Sequence, residues 1–184
     1  IPLVKKFISP RKSSSRKGDN GIVLVVGGSY IYHGAPILAS IAALRCGTDL
    51  VYTCVPKINV APTRAISPNL IVIPLVDQKL TRGAVNKLIG ALPRNLDSAT
   101  IGMGLAIQDR NSLLLLVESL LNRDVRLSLD ASALVSEVLP LLKNKNVVVT
   151  PHAGEFKRLF GESPPNSKTQ RIKLVEKNAK EYGI

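Results

Sequence analysis

The chain has 184 residues, a formal net charge of +12, a hydrophobic fraction of 45% and an aromatic fraction of only 4%. This length is enough for one domain with a core of Val, Leu, Ile and Ala, which is typical of a parallel sheet covered on both faces. No apolar stretch approaches the roughly 20 residues that a transmembrane helix needs, so we expect no membrane-spanning segment.

In chain order, a basic, Ser-rich lead-in over residues 1–20 is followed by a single predicted domain over residues 21–184. Strand-like apolar runs occur at 22–26, 49–55, 70–75, 98–103, 125–129 and 146–150. Helix-like segments occur at 35–46, 57–66, 81–92, 109–122, 131–142, 154–160 and 168–182. The repeated strand-then-helix order predicts an α/β domain with a mostly parallel sheet and right-handed crossovers.

The excess of positive charge suggests nucleic-acid binding at first sight, but the residue pattern argues against it. Basic residues cluster near the start, at Lys5, Lys6, Arg11, Lys12, Arg16 and Lys17. No aromatic side chains interleave with them to stack on bases, and no zinc-finger or RNA-binding motif occurs. We therefore expect the positive field to attract a phosphorylated metabolite or a nucleotide instead of nucleic acid.

The two cysteines, Cys46 and Cys54, do not form a C-x-x-C pair, and the sequence contains no cluster of metal ligands. We therefore predict no protein-bound metal site. Both cysteines are expected to be free thiols in a reducing compartment, which indicates a cytoplasmic protein.

A first candidate site follows the first predicted strand, where Gly27, Gly28 and Ser29 precede a helix that begins near Gly34 and Ala35. A helix start presents free N–H groups and a partial positive charge, which suit a phosphate, and small residues let a ligand approach the backbone. The segment is neither a G-x-G-x-x-G fingerprint nor a Walker A loop. A plain strand-to-helix turn is therefore an equal alternative.

Two further strands end in residues that suit a ligand. Gly102 and Gly104 form a G-x-G at the end of the fourth strand, where either a close ligand or a tight turn explains them. Asp130 follows the fifth strand, where it binds a ligand hydroxyl, holds a cation through water, or caps the next helix.

The stretch VVVTPHAGEFKRLF, residues 147–160, is the most informative part of the chain. It brings Pro151, His152 and Glu155 to the carboxyl edge of the sheet, where α/β proteins bind ligands. We interpret the His152 imidazole as a donor to a phosphate or hydroxyl, because a histidine in an edge loop is rarely core packing. Glu155 lies in the first helical turn, where the helix dipole alone favours a carboxylate. No Ser–His–acid order supports a nucleophilic hydrolase.

Residues 14–160 resemble the nucleotide-dependent NAD(P)H-hydrate dehydratases, because several segments occur in the same order. These segments are Lys17–Gly21, Val25–Ser29, Gly34–Pro36, Ala42–Gly47, Gly102–Leu105, Leu129–Ala131 and Thr150–Phe156. Thr150–Phe156 is similar to the family signature T-P-H-P-G-E-F, with Ala153 in place of Pro. Gly102–Leu105 is similar to G-P-G-L-G, with Met103 in place of Pro.

The resemblance implies a ribokinase-like, three-layer α/β/α fold and the repair of NADH or NADPH hydrated at C6 of the ring. It implies that the hydrate hydroxyl takes a phosphoryl group from ADP or ATP, commonly with Mg²⁺, before the ring nitrogen lone pair expels phosphate. It also implies a homo-oligomer. By position, it implies hydrate contacts at Ala35, Gly102, Gly104, His152, Gly154 and Glu155, and a rim at Gly27, Gly28, Ser29, Gly34 and Asp130.

One family feature has no counterpart in this sequence, namely the later G-x-G-T-G-D loop that carries the catalytic Asp and most of the nucleotide site. We therefore assign no catalytic residue, and we expect the chain from Ile1 to Ile184 to be a fragment of a longer protein. Two alternatives stay open: a kinase of a small alcohol such as a vitamin precursor, and a nucleotide-binding module without catalysis. We further expect His152 and the Gly34–Ala35 bend to share one cavity.

Overall fold

Six strands form the sheet: β1 Ile22–Val26, β2 Leu50–Pro56, β3 Leu70–Leu75, β4 Ser98–Ile101, β5 Arg126–Leu129 and β6 Val147–Val149. The computed structural model describes residues 10–184, so residues 1–9 of the predicted lead-in lie outside the described part. All strands are parallel, in the order β3-β2-β1-β4-β5-β6. The order reverses between β1 and β4, and doubly wound sheets bind ligands at such a switch point.

Seven α-helices are described: α1 Gly34–Arg45, α2 Val60–Ile66, α3 Arg82–Ala91, α4 Arg110–Leu121, α5 Leu139–Leu142, α6 Ala153–Phe160 and α7 Lys168–Tyr182. Short 3₁₀ turns cover Lys57–Asn59, Ala131–Ala133 and Ser136–Val138. Within residues 10–184, none of these helices is long and apolar enough to cross a membrane.

The two faces of β1 belong to two apolar layers. Leu24 and Val26 lie in the larger core cluster together with Leu88 of α3 and Leu116 of α4. Val25 lies in a second cluster, to which side chains of α1 contribute. Because alternate strand residues pack on opposite helical layers, the predicted parallel, three-layer α/β/α fold is confirmed. The division into a lead-in and one domain stays a prediction.

The single helix expected over residues 131–142 is wrong. The segment forms two 3₁₀ turns and then α5, which has only four residues. Ala131 has a φ of +48° and Leu134 a ψ of +85°, and neither value is helical. The Arg158 guanidinium donates to the Ala131 and Leu134 carbonyl oxygens, which a helix would have used itself. Tertiary contacts therefore override the local helix propensity.

Candidate functional site

The loops after β1, β4 and β5 are hydrogen-bonded to one another at the carboxyl edge of the sheet. Gly28 N donates to the Met103 carbonyl at 3.0 Å, and Ser132 N donates to the Gly102 carbonyl at 3.4 Å. These bonds join loops that are far apart in the sequence. The strand ends therefore bring the predicted glycine turns together, as expected for neighbouring parallel strands.

Backbone geometry requires glycine at two of the predicted site positions. Gly102 has a φ of +121°, and a Cβ there would collide with the carbonyl oxygen of Asp130. Gly104 has a φ of +64°, and a Cβ there would lie 2.9 Å from Cβ of Tyr32. Gly102 is buried against protein, whereas Gly104 is half-buried and borders a cavity. The tight-turn alternative thus accounts for Gly102, and a ligand contact at either glycine stays a prediction.

The cavity beside Gly104 has a volume of about 530 Å³ and lies at the N-terminal end of α1. Its lining consists of Ile31, Tyr32, His33, Gly34, Ala35 and Gly104. Within the described residues, His33 makes no side-chain hydrogen bond that caps α1. The N–H groups of the first helical turn are therefore left for water or a ligand, as predicted for Gly34 and Ala35.

Sequence reasoning missed Ile31 and Tyr32, whose side chains are 72% and 64% exposed on the wall of this cavity. Their loop is held in place, because Ser29 N donates to the Tyr32 carbonyl at 2.7 Å and Tyr32 N donates to Ser29 Oγ at 3.1 Å. The signal in the sequence was a run of three large, mostly apolar residues, Tyr30–Tyr32, that follows Gly27–Gly28–Ser29. Exposed apolar side chains on a fixed loop suit contact with a planar ring.

The rim residues Gly27 and Gly28 are buried, so they pack against other residues at the base of the Ser29–Tyr32 loop. A Cβ on Gly27 would lie 2.6 Å from the Met103 carbonyl oxygen, and one on Gly28 would lie 3.3 Å from Asn59 Nδ2. Asn59 Nδ2 also donates to the Ser29 carbonyl at 2.7 Å. Gly27, Gly28 and Asn59 therefore shape the loop. A ligand contact at the rim residues Gly27, Gly28 and Ser29 stays a prediction.

Asp130 lies at the end of β5, where its carboxylate accepts a hydrogen bond from Thr150 Oγ1 at 2.8 Å. Among the described residues, this carboxylate does not cap the 3₁₀ turn that follows, so the capping alternative is wrong. The bond ties the end of β5 to the segment after β6. A role of Asp130 toward a ligand hydroxyl stays a prediction.

His152 is the N-cap residue of α6. Its Nδ1 accepts from Gly154 N at 3.0 Å and from Glu155 N at 3.3 Å. The Glu155 carboxylate accepts from His152 N at 2.9 Å, which completes a capping box and confirms its place at the helix start. Because Nδ1 is an acceptor, the neutral ring carries its proton on Nε2, and the side chain is 72% exposed. Nε2 lies 3.3 Å from Glu155 Oε1, so the imidazole can donate to that carboxylate or to a ligand.

His152 and the Gly34–Ala35 bend line different cavities. The His152 cavity has a volume of about 310 Å³ and also contacts Pro151 and Phe156. Two strands, β4 and β5, lie between β1 and β6. Three strand spacings separate the ends of β1 and β6 by about 14 Å. The expected single cavity is therefore not observed in the described part of the chain, and a ligand that contacts both ends must extend along the edge.

Between residues 10 and 184, no group of three or more His, Cys, Asp or Glu side chains is arranged to hold a metal ion. Cys46 is exposed and Cys54 is buried, and both are free thiols. Burial raises the pKa of the Cys54 thiol, so it remains protonated. The described residues do not form a metal cage, and Mg²⁺ commonly takes phosphate oxygens and waters as most of its ligands.

Comparisons with known proteins extend these observations. The model of the family described as NAD(P)H-hydrate dehydratase matches residues 23–184. A Nitrosopumilus maritimus protein named ADP-dependent (S)-NAD(P)H-hydrate dehydratase is 84% identical over 99% of this chain and 63% of its own length. A Cenarchaeum symbiosum protein of the same name is 65% identical over 98% of this chain and 63% of its own length.

A solved structure supports the fold. It is the ADP/ATP-dependent NAD(P)H-hydrate dehydratase of Bacillus subtilis, co-crystallised with ATP and Mg²⁺. At 24% identity it superposes with a TM-score of 0.77 and covers 96% of this chain and 60% of that protein. The chain thus spans less than two thirds of the length of these relatives. Because the family model covers nearly the whole chain and the fold agrees, the chain belongs to the NAD(P)H-hydrate dehydratase family.

Proposed function

We propose that the protein to which this chain belongs dehydrates (S)-NADH or (S)-NADPH hydrate with ADP as phosphoryl donor. The relatives that are 84% and 65% identical are both named ADP-dependent and (S)-specific. A Pongo abelii relative named ATP-dependent is only 36% identical. These identities favour ADP over ATP for this protein.

The observation that carries the proposal is the cavity at the start of α1. Its apolar wall of Ile31 and Tyr32 faces the helix N-terminus at Ala35 and the Gly104 turn. An apolar wall suits the dihydronicotinamide ring, and free N–H groups suit oxygen atoms of the carboxamide or of a phosphate. The cavity therefore offers both kinds of contact that a hydrated nicotinamide nucleotide needs.

The same substrate explains why predicted contacts occur in two cavities. A dinucleotide is an extended molecule, so one end can lie at Ala35 while another part reaches His152 along the strand ends. The Nε2–H of His152 would then donate to a phosphate or ribose oxygen, with the ring held by the capping bonds to Nδ1. We accordingly assign binding and orientation to the described residues.

The reaction that the family resemblance implies transfers a phosphoryl group from ADP to the hydrate hydroxyl, with release of AMP and of the hydroxyl proton. Phosphate then leaves as the ring double bond re-forms. Positioning and charge stabilisation dominate such transfers. Mg²⁺, held by the nucleotide phosphates, would supply charge neutralisation. The residues of this chain would bind the hydrated nicotinamide ring and the phosphates of the same substrate. They would thereby hold the acceptor hydroxyl in place.

The direct test is an assay on the native protein that contains this chain. (S)-NADPH hydrate is incubated with ADP or ATP, and the hydrate and its products are separated by chromatography. We expect the hydrate to disappear with ADP as NADPH and phosphate appear. A stable phosphorylated product would indicate a small-alcohol kinase instead, and no conversion with either nucleotide would reject the proposal.

We also propose a cytoplasmic homo-oligomer. The free thiols Cys46 and Cys54 support the compartment. On α1, Leu38 is 73% exposed and Ala42 is also exposed, so a largely apolar helix face meets solvent. Such a face is typical of a protein interface. Light scattering on the native protein tests this part, because a monomer at micromolar concentration would contradict it.

A further inference from the structure

A second cluster of chemistry-bearing residues lies at the opposite edge of the sheet. Residues 10–21 precede β1, and Asp49 directly precedes β2, so both lie at the amino edge. The five residues of β1 separate this edge from the Gly27–Gly28 turn by roughly 16 Å. The cluster is thus distinct from the candidate hydrate site.

The loop at this edge is fixed by one carboxylate. Oδ2 of Asp49 accepts hydrogen bonds from Gly18 N, Asn20 N and Asn20 Nδ2, each at 3.0 Å. Its Oδ1 accepts from the Arg11 guanidinium, which also donates to the Gly47 carbonyl at 2.9 Å. Backbone and side-chain hydrogen bonds from Asn20 lower the pKa of Asp49, so this carboxylate is ionised at neutral pH. The loop is therefore pre-organised before any ligand binds.

The loop that Asp49 fixes also carries further cationic side chains, and these line a cavity. A cavity of about 320 Å³ is lined by Arg11, Lys12, Ser15, Arg16, Lys17, Asn20 and Asp49. Within residues 10–184, no carboxylate lies at ion-pair distance from Lys12, Arg16 or Lys17. These three cations therefore repel one another across the cavity, and a clustered anion would relieve that repulsion.

The surroundings of this cavity indicate the size of the anion. An adjoining cavity of about 730 Å³ shares Arg11, Lys12, Ser15 and Asn20 and adds uncharged groups such as Ser14 and Gly47. It also adds Asp19, whose carboxylate accepts a hydrogen bond from Arg16 N at 2.8 Å. A small cationic cavity next to a larger polar one suits a small molecule whose phosphates enter the first and whose remainder lies in the second. A concave site without aromatic side chains in its lining is a poor surface for stacked bases.

We propose that Lys12, Arg16 and Lys17 form a second binding site, which takes the oligophosphate group of a small molecule at the amino edge of the sheet. The ligand class is a molecule with two or three linked phosphates, and inorganic tripolyphosphate carries the same chemistry. Each cation provides a charge-assisted hydrogen bond to phosphate oxygens, and Ser15 provides a neutral donor.

Isothermal titration of the 184-residue chain with inorganic tripolyphosphate tests this site. The triple variant Lys12→Ala/Arg16→Ala/Lys17→Ala removes the three cations. The matched control Lys168→Ala/Lys173→Ala/Lys180→Ala removes three exposed charges from α7 and so lowers the net charge equally. All six side chains are exposed, and circular dichroism verifies that both variants fold.

We expect the first variant to bind tripolyphosphate at least about tenfold more weakly and the control variant to bind within about twofold of the wild type. Equal weakening in both variants would overturn the proposal, because net charge alone would then explain binding. Absence of binding to the wild type would also overturn it. A short DNA duplex that binds more tightly than tripolyphosphate would overturn it in favour of nucleic acid. Hydrate binding at the opposite edge is expected to be unchanged in the first variant, so the two sites are tested separately.

Discussion

At the scale of single residues, the glycines of the carboxyl edge have different physical roles. Gly102 is needed because the Asp130 carbonyl occupies the place of a side chain, whereas Gly104 borders the cavity under Tyr32. Both positions have positive φ, which other residues adopt only with strain. Motif matching alone treats the two glycines alike, but only one of them adjoins space for a ligand.

Gly102→Ala is expected to lower the free energy of unfolding by at least about 2 kcal/mol, through backbone strain and the collision with Asp130. Urea unfolding followed by circular dichroism measures this change. Gly90→Ala is the matched control, because Gly90 lies in α3 and a Cβ there meets nothing within 4 Å. We expect the free energy of unfolding of the Gly90→Ala control to exceed that of the wild type by no more than about 1 kcal/mol. Equal stability of the Gly102→Ala variant and the wild type would contradict the close packing of the edge loops.

Tyr32→Ala is expected to weaken hydrate binding roughly tenfold. The nicotinamide ring would lose its contact with an aromatic side chain, which contributes about 1 kcal/mol or more to the binding free energy. Calorimetric titration with (S)-NADPH hydrate measures the affinity. Tyr30→Ala is the control, since Tyr30 is similarly exposed at 66% but is not among the described lining residues of the cavity. If both variants bind like the wild type, the nicotinamide ring does not contact this wall.

At the scale of elements, α6 combines a structural and a proposed functional role in one side chain. His152 caps the helix through Nδ1, and its Nε2 is left to face Glu155, solvent or a ligand. The sequence predicts the histidine at the sheet edge, but it does not show that the same ring closes a capping box. That fact depends on the ring orientation, which only the structure gives.

His152→Asn separates these two roles. Asn is a good N-cap residue, so the free energy of unfolding is expected to change by less than about 0.5 kcal/mol, whereas His152→Ala loses about 1 kcal/mol. Both variants are expected to lose about tenfold in hydrate affinity if Nε2–H binds the substrate. Thermal unfolding and calorimetric titration measure the two effects. Full hydrate affinity in the Asn variant would show that the imidazole is only a helix cap.

The amino-edge loop gives a prediction about pH. The pKa of Asp49 is lowered in the folded chain from its ordinary value of 3.8, so the unfolded chain binds the proton more tightly. The stability that the carboxylate contributes is therefore present above about pH 4 and is lost as the pH falls through the lower folded pKa. Asp49→Asn is expected to be less stable than the wild type near pH 7, and this difference is expected to shrink below pH 3.8. Urea unfolding across this range measures it, and a difference independent of pH would contradict the assignment.

The elements that sequence predicts best are the buried strands, because continuous apolar runs of mostly β-branched residues, such as Ile22–Val26, favour a buried strand over other structures. The segment 131–142 could not be predicted, because the hydrogen bonds from Arg158 to its carbonyls come from a distant helix. The candidate site shows the same limit. Ala35 and Gly104 were expected together and line one cavity, but the distance to His152 depends on strand order, which motif order along the chain does not contain.

At the scale of the whole molecule, the two edges of the sheet offer different chemistry. The carboxyl edge carries the glycine turns, an apolar wall and His152, whereas the amino edge carries the cations Lys12, Arg16 and Lys17 around a fixed loop. Part of the net charge of +12 is therefore concentrated away from the proposed substrate site. A parallel sheet permits this separation, because every strand starts at one edge and ends at the other.

The most direct test of the central claim is a titration of the isotope-labelled chain with (S)-NADPH hydrate, followed by amide chemical shifts in NMR spectra. We expect the amides of Ala35, Gly104 and His152 to shift together with a single dissociation constant, because one extended ligand would contact both cavities. Saturable shifts that leave Ala35 and Gly104 unmoved and appear only around Asn20 and Asp49 would contradict the account.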